Sequence, residues 1–419
     1  MPSARTTTML PEKITQLDVS IAGRQGAGQL LKTSNFEFRY LDAAAQQPEV
    51  ALLMPASKQL TWGAGDLFAP MDQNLPEGDL YMRIRAMFPK QQTTAMHMLA
   101  LIGENGIGRL GYRLPGTEQT PGSEPITKDK LLNTTYTSEV FDELVRAYLS
   151  TGAGIAGMQP KIMVPEVRTA IAIPTLIVKA GSDVYPGLAA NEYLCLRAAQ
   201  LAGIKTSVFD LSHDGQLLVL ERFDAVVAED GTVERLGFED VASLAGLRVR
   251  DTLSDRKYHG SYQGVVNLLK TLQMEQAALT RFFVQVAFSV MVRNGDAHLK
   301  NFGVLYRSWS DKWLAPMFDV VTTSIYRYTQ YAGGPELEDR TLALKLFAGK
   351  GQTKAYPTTE ELLAFGEKVC GVRDPASYLK HIADGMSHAL AEAETDSRID
   401  AGLLAKMREA WEPGMAYAA

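Results

Sequence analysis

Between residues 15 and 60 apolar and polar positions alternate in short runs, LDVSIAG, NFEFRYL and VALLMP, with Gly23, Gly26 and Gly28 at a turn. A period of two puts one face of each run on a core, so these segments predict short antiparallel strands. Residues 75–103, from LPEG through AMHMLALIG, predict two short helices with a proline start. The run 114–138 carries Pro115, Gly116, Pro121, Gly122 and Pro125, which places a subdomain boundary there. From Ser138, VFDELVRAYLS predicts a helix, followed by the glycine-rich TGAGIAG. KIMV, TLIVK and LLVLERFD then predict strands of one sheet. GLAANEYLCLRAAQLAG, between the last two, predicts an amphipathic helix closed by Gly203. Beyond Asp224, FEDVASLAGL, YQGVVNLLKTL, ALTRFFVQVAFSVMVRN, TEELLAFGEKV and the tail predict helices, with few strand candidates. A mixed, sheet-containing first half therefore precedes a mainly helical second half, and the fold class expected is α+β.

Composition narrows the class. The 419 residues suffice for two or three units with cores of their own, and 46% hydrophobic with 21% charged residues describes a globular chain. A formal net charge of -6 argues against a free-standing nucleic-acid binder, so DNA contact is expected only through a local patch or a partner. Cys195 and Cys370 stand far apart with no CxxC pair, which supports neither a disulfide framework nor a thiolate zinc site. A reducing cytoplasm is the simplest home. The start, MPSARTTTMLPEKITQ, lacks the apolar core of a signal peptide. The most apolar stretch, Phe282 to Val292, is too short to span a bilayer, so no membrane partner is expected.

Gly152, Gly154 and Gly157 spell GxGxxG. A dinucleotide fingerprint needs a strand before this loop and a helix after it. Here a predicted helix precedes and KIMV follows, which excludes that reading. Two readings stay open: a plain turn, or a kinase-type loop leading into a strand and covering phosphates with its backbone N–H groups. Lys179 ends TLIVKA, placed like a strand lysine that sets a point charge on nucleotide phosphates; an edge lysine in solvent is its alternative. Glu192, on the following helix, is a candidate partner for Lys179 or a first-turn carboxylate favoured by the helix dipole.

The strongest local signal is RNGDAHLKNFGVL, Arg293 to Leu305. Asp296 and Asn301 stand at the D-x-x-x-x-N spacing by which protein kinases set a base beside the acceptor hydroxyl and an amide oxygen on magnesium. So many polar groups between two apolar elements cost folding energy unless they bond to each other or to a ligand. Asp319, in WLAPMFDVVTT, stands where a kinase's metal aspartate would follow, although Phe318-Asp319-Val320 is not DFG. Glycine loop, strand lysine, helix glutamate, D-x4-N and late aspartate, in that order, point to phosphoryl transfer and to a bilobal, protein-kinase-like fold.

These segments resemble the HipA family of serine/threonine kinase toxins. GIAGMQPKIMV resembles its phosphate loop, and LIVKAGSDVYPGLAANEYLCLRAAQLAGI its lysine strand and Asn-Glu helix. LERFDA resembles its hinge, RKYHGSYQG a helical-lobe segment, and NGDAHLKNF with APMFDVVTT its catalytic and magnesium segments. The resemblance implies an N-terminal subdomain over 1–125, an ATP-binding lobe over 126–224 and a helical catalytic lobe over 225–419. It implies that Ala156, Gly157, Met158, Gln159 and Lys161 contact ATP phosphates, that Lys179 binds α/β oxygens, and that Glu221, Arg222 and Phe223 present hinge backbone to adenine. It implies Asp296 as base, with His298 and Asn301 completing the loop, and Mg2+ held by Asn301 and Asp319. Family members pair with a small helix-turn-helix antitoxin of the HipB type that binds operator DNA. Their targets are aminoacyl-tRNA synthetases.

One departure stands out. The family's self-inactivating phosphoserine falls on Gly154, and Ala156 fills the other position that carries serine in some members. Neither residue accepts phosphate, so self-phosphorylation is expected at Ser150 or Thr151 or not at all. The rival functions are a kinase-shell co-repressor that binds the antitoxin without catalysis, and a small-molecule kinase. The retained Lys179, Asp296, Asn301 and Asp319 argue against the first.

Overall fold

The computed structural model describes residues 11–41, 48–76, 81, 85, 93–103, 106–117, 127–137, 139–140, 161–165, 174–180, 185–230, 232–249, 251–329 and 336–419. Strands β1 (Gln16–Ile21), β2 (Arg24–Lys32), β3 (Phe36–Tyr40), β4 (Thr61–Ala64) and β5 (Leu110–Arg113) form one antiparallel sheet in the order β4-β3-β2-β1-β5. The turn between β1 and β2 is Ala22-Gly23, both at positive φ (52° and 79°), the conformation that matches the twist of a tight hairpin. Gly26 and Gly28 lie within β2 rather than at the turn.

VALLMP, expected as a strand, is a buried turn instead. The Tyr40 hydroxyl donates to the Met54 carbonyl (2.6 Å) and accepts from the Val50 amide (2.8 Å), while the Leu52 amide donates to Glu239 (2.7 Å). Side chains satisfy the backbone that a ladder would otherwise have satisfied. In 75–103 the helix that can be described is Ala95–Ile102, and the helix expected from Ser138 lies almost wholly outside the described residues.

KIMV, TLIVK and LLVLE do share a sheet. β6 (Lys161–Pro165), β7 (Pro174–Ala180), β8 (Phe209–Leu211) and β9 (Leu217–Glu221) run antiparallel in the order β6-β7-β9-β8. The helix Leu188–Leu201 follows β7, and Gly203 beyond it has φ 77°. The expected helix is amphipathic with a narrow outer stripe, Tyr193, Arg197 and Gln200 beside Leu201. Ten of its fourteen residues are buried, and Gly385 of the helix Pro375–Ala393 lies so close that an added Cβ would meet the Ala198 carbonyl at 2.7 Å.

The second half holds more strand than its sequence suggested. β10 (Ala225–Val227) and β11 (Val233–Arg235) pair as a hairpin, as do β15 (Arg327–Thr329) and β16 (Glu336–Glu338). Between them β12 (Gly237–Asp240), β13 (Gly303–Tyr306) and β14 (Lys312–Leu314) form a three-stranded sheet. Phe238, Glu239 and Asp240, expected in a helix, belong to β12, and the helix Val241–Leu244 begins only after Asp240 caps it through the Ser243 amide. Short strands of this kind carry too little periodicity to be read alone. Helices Tyr262–Thr271, Gln276–Met291, Thr359–Ala364, Pro375–Ala393 and Ala401–Met415 complete the C-terminal half.

Two apolar clusters organise the chain. One joins the buried face of the first sheet to Leu176, Val178 and Ala180 of β7 and Leu217 and Val219 of β9. The other gathers the long helices around Phe282, Phe283, Phe288, Met386 and Trp411. The candidate site lies where β7, the Leu188–Leu201 helix and the loops flanking β13 and β14 meet.

Candidate functional site

Lys179 leaves β7 on the side of the Leu188–Leu201 helix and is only 3% exposed. Its Nζ is ion-paired with both Glu192 Oε1, from that helix, and Asp319 Oδ1. Burial alone would push the Lys179 ammonium down, but Asp319 and Glu192 outweigh it and hold the group above its ordinary range. The expected Lys179–Glu192 pair is present, and the solvent-edge reading of Lys179 is excluded. Glu192 itself is 1% exposed, so it is a buried counter-ion rather than a surface dipole partner.

The second component is the turn between the helix Gln276–Met291 and β13. Arg293 takes a positive φ of 59°, which reverses the chain out of the helix. Asn294 Oδ1 accepts the Asp296 amide (3.0 Å), the Asp296 carbonyl accepts the His298 amide (2.7 Å), and Asn301 Oδ1 accepts the same His298 amide (3.0 Å). The D-x4-N spacing therefore closes a short ring in which Asn301 reaches back to fix the loop that carries Asp296. Gly295 is needed for space: an added Cβ would lie 2.0 Å from Asp339 Oδ2. The Asp296 carboxylate accepts a hydrogen bond from the Tyr258 hydroxyl at 2.7 Å. Protein packed around Asp296, whose side chain is still 42% exposed, raises it above the usual carboxylate range, opposed by the Tyr258 bond and Lys257 and reinforced by Asp319 and Asp339. His298, 6% exposed, is held neutral: burial first, then Lys257 and Lys300, push it well below the usual histidine range.

The Asp319 loop is stitched to both neighbours. Asp319 adopts φ 53°, a left-handed conformation that Asp and Asn tolerate better than most residues. Three residues on, Thr322 exchanges two hydrogen bonds with the Asn191 amide: Thr322 N donates to Oδ1 (2.9 Å) and Nδ2 donates to the Thr322 carbonyl (3.0 Å). Thr323 N donates to the Arg293 carbonyl (3.1 Å), and Thr323 Oγ1 accepts the Gly295 amide (2.8 Å). Lysine strand, glutamate helix, Asp296 turn and Asp319 loop thus form one bonded unit.

Among the described residues there is no group of three or more His, Cys, Asp or Glu placed to hold a metal. Mg2+ usually takes one or two protein oxygens and fills its sphere with phosphate and water, so a three-residue cluster is not required for it. Asp319 offers a hard oxygen donor beside the buried Lys179 ammonium, while the Asn301 amide oxygen, on the neighbouring turn, accepts the His298 amide.

At the segment expected as the hinge, the Glu221 amide donates to the Val208 carbonyl (2.8 Å) and the Arg222 amide to the Thr175 carbonyl (2.7 Å), so both N–H groups serve the sheet. The Arg222 side chain pairs with buried Asp224, and Phe223 packs between Phe238 and Phe318. Ala156, Gly157, Met158 and Gln159, with Ser150, Thr151 and Gly154, lie outside the described residues. Lys161 opens β6, with its backbone opposite Lys179. Sequence reasoning missed Tyr258, Asn191 and Thr322. Tyr258 sits in RKYHGSYQG, Asn191 in the Asn-Glu helix and Thr322 in APMFDVVTT, segments that carry the family resemblance but assign these three side chains no role.

A profile of the HipA-like C-terminal domain matches residues 153–393, and one of the HipA N-terminal domain matches residues 17–113. The fold is that of HipA in the solved Shewanella oneidensis MR-1 toxin–antitoxin complex of HipA, HipB and operator DNA, with TM-score 0.69, 19% identity and 96% of each chain covered. Y4mE of Sinorhizobium fredii, named for an inferred kinase activity, is 29% identical over 254 residues, 58% of this chain and 57% of that protein. A Haemophilus influenzae protein named in the same way is 25% identical over 252 residues, 54% of this chain and 69% of its own length. The alignment with Y4mE thus spans little more than half of that relative. With the matched C-terminal segment alone covering more than half of its length, the chain belongs to the HipA family.

Proposed function

We propose that the chain is an ATP-dependent serine/threonine protein kinase of a toxin–antitoxin module, with its N-terminal subdomain in 1–125, its ATP-binding lobe in 126–224 and its catalytic lobe in 225–419. The observation that carries this reading is Lys179 clasped between Glu192 and Asp319, in a unit bonded to the Asp296 turn. A buried lysine with two carboxylates and a neighbouring aspartate of raised proton affinity is the equipment of phosphoryl transfer. The kinase names of its relatives support the same chemistry.

On this reading Lys179 keeps Glu192 and turns its remaining N–H bonds to α/β phosphate oxygens, while Asp319 and Asn301 would hold a magnesium ion. The ion supplies charge neutralisation at the transferring phosphate. Ala156, Gly157, Met158, Gln159 and Lys161 cover the phosphates, and Glu221, Arg222 and Phe223 border adenine. Asp296 orients the acceptor hydroxyl and takes its proton. As the acceptor oxygen bonds to the γ-phosphorus, the bond from that phosphorus to the β-bridging oxygen breaks and ADP departs. Neutral His298 and Asn301 hold the turn in place. The partners proposed are a helix-turn-helix antitoxin of the HipB type, operator DNA reached mainly through it, and an aminoacyl-tRNA synthetase as substrate. The net charge of -6 fits DNA contact by way of a partner.

The test is transfer of labelled phosphate from Mg·ATP to the chain itself and to a panel of synthetases, with Asp296→Asn and Asp319→Asn beside the native protein. Transfer by the native chain alone is expected. No nucleotide binding, or equal transfer by all three, would refute the kinase reading in favour of a shell that only binds antitoxin.

A further inference from the structure

The phosphoryl-transfer residues are held by a second network that the proposed reaction does not itself use. Asn191 stands one residue before Glu192, and Thr322 three residues after Asp319; both are fully buried. The Asn191 amide pairs with the Thr322 backbone through both its oxygen and its nitrogen, as a neighbouring strand would. Its Nδ2 also lies 3.2 Å from the Tyr326 hydroxyl and its Oδ1 accepts from the Cys195 thiol at 3.5 Å, so four contacts fix one side chain. The Thr322 hydroxyl, in turn, accepts the indole N–H of Trp411 at 2.7 Å.

Trp411 belongs to the helix Ala401–Met415 and is completely buried. That helix has little freedom to slide. Gly414 sits against the end of the helix Gln276–Met291 so closely that a Cβ there would lie 1.8 Å from the Met291 carbonyl oxygen. Beyond it, Tyr417 lies 5.9 Å from the guanidinium of Arg293, whose carbonyl accepts Thr323 N. The last helix and the turn after it therefore touch both loops of the site from behind.

We propose, resting on the kinase reading above, that Asn191, Thr322 and Trp411 are positioning residues that clamp the Asp319 loop to the Glu192 helix. The C-terminal helix is then a working part of the phosphoryl-transfer apparatus. Lys179 bridges Glu192 and Asp319 in front, and Asn191 ties their two backbones together behind. With both ties closed, the distance between the carboxylates is set before nucleotide arrives. With the rear tie cut, the Asp319 loop keeps its bonds to the Asp296 turn through Thr323 but loses its backbone tie to the Glu192 helix.

Three variants test this in the full chain. Asn191→Ala removes the rear tie, Thr322→Val removes the hydroxyl but leaves the paired backbone, and Trp411→Phe removes the indole N–H but keeps a ring. Asn191→Ala is expected to lower turnover by roughly 10- to 100-fold and raise the Mg2+ concentration needed, with ATP binding in the absence of Mg2+ little changed. Hydrogen exchange on the nucleotide-free protein supplies the independent readout: the Thr322 amide loses protection while amides of the helix Pro375–Ala393 keep theirs. Thr322→Val and Trp411→Phe are expected to give smaller losses of the same kind, and the double variant to lose no more than Thr322→Val alone, because both break the Trp411–Thr322 bond and only Thr322→Val also loses the contact with the Cys195 thiol. If Asn191→Ala unfolds, this pair carries the test. Native-like turnover, or exchange around Thr322 unchanged, would overturn the clamp. A native chain that transfers no phosphate would instead overturn the kinase reading, and the clamp's catalytic role with it.

Discussion

Replacing Lys179 by Met keeps the aliphatic stem and removes the charge between Glu192 and Asp319. Both carboxylates bond the same ammonium, so its loss leaves two like charges facing each other, one of them 1% exposed. Removing one partner of a buried ion pair costs about 3–5 kcal/mol, and the partial exposure of Asp319 points to the lower end. Unfolding entropy of roughly 2.1 cal/mol/K per residue makes 1 kcal/mol worth about 1 °C for a chain of this length, so the melting temperature should fall by about 3–5 °C near neutral pH. The pH dependence makes the diagnosis. Without Lys179 the folded-state proton affinity of at least one carboxylate rises above its unfolded value. The penalty is therefore present at pH 7–8 and fades as the pH falls through the raised value and a proton replaces the ammonium. Calorimetry of native and Lys179→Met protein between about pH 5 and 8 measures this directly, without any assay of activity. A loss of stability that is the same across the range would refute the idea that Lys179 balances two carboxylates.

Other outcomes follow from the same physics. Tyr258→Phe removes a bond that lowers Asp296, so Asp296 should rise further, the acid limb of the rate profile should move to higher pH, and turnover should drop roughly 10- to 100-fold; superimposable profiles would contradict this. Glu239 is pushed up to about 7 by burial, against the Leu52 amide and the Tyr306 hydroxyl. Its folded value lies above its unfolded one, so the native chain loses stability as pH rises toward 7, and Glu239→Gln should be relatively more stable at about pH 8 than at pH 5. A constant difference in melting temperature between the two proteins would count against that assignment. Gly414→Ala must displace backbone, and a fall of about 1–3 kcal/mol in denaturant titration is expected; a variant as stable as the native chain would show that the helix contact is loose.

Much of the candidate site was legible because the proposed kinase chemistry would impose order and spacing. Asp296 and Asn301 are tied by a loop of fixed length, and Lys179 closes a strand whose apolar run is plain. What escaped depends on contacts between distant segments. Tyr258 reaches Asp296 across 38 residues, and Asn191 meets Thr322 across 131. A lone asparagine in a helix reads the same whether it faces water or stitches a loop. The fold shows the same limit. VALLMP has the composition of a strand but bends around the Tyr40 hydroxyl, and β12 to β14 are too short to announce themselves beside long helices. The Leu188–Leu201 helix is amphipathic as its pattern suggests, but its alanines and small polar residues give no sign of how much of it is buried.

The bonds between the first sheet unit and β12 carry a consequence for synthesis on the ribosome. Gln73 donates to the Phe238 carbonyl (2.7 Å) and accepts the Asp240 amide (3.0 Å), and the Asp72 carboxylate accepts the Val249 amide (2.9 Å). The partners of Gln73 are translated 165 and 167 residues later, which at about 5–20 residues per second is a delay of roughly 8–33 seconds. Throughout that interval the nascent N-terminal unit presents its future interface to water. Early chain release or a long translational pause in the 75–235 stretch therefore exposes the growing chain at this seam, and a chaperone that shelters it would act there first.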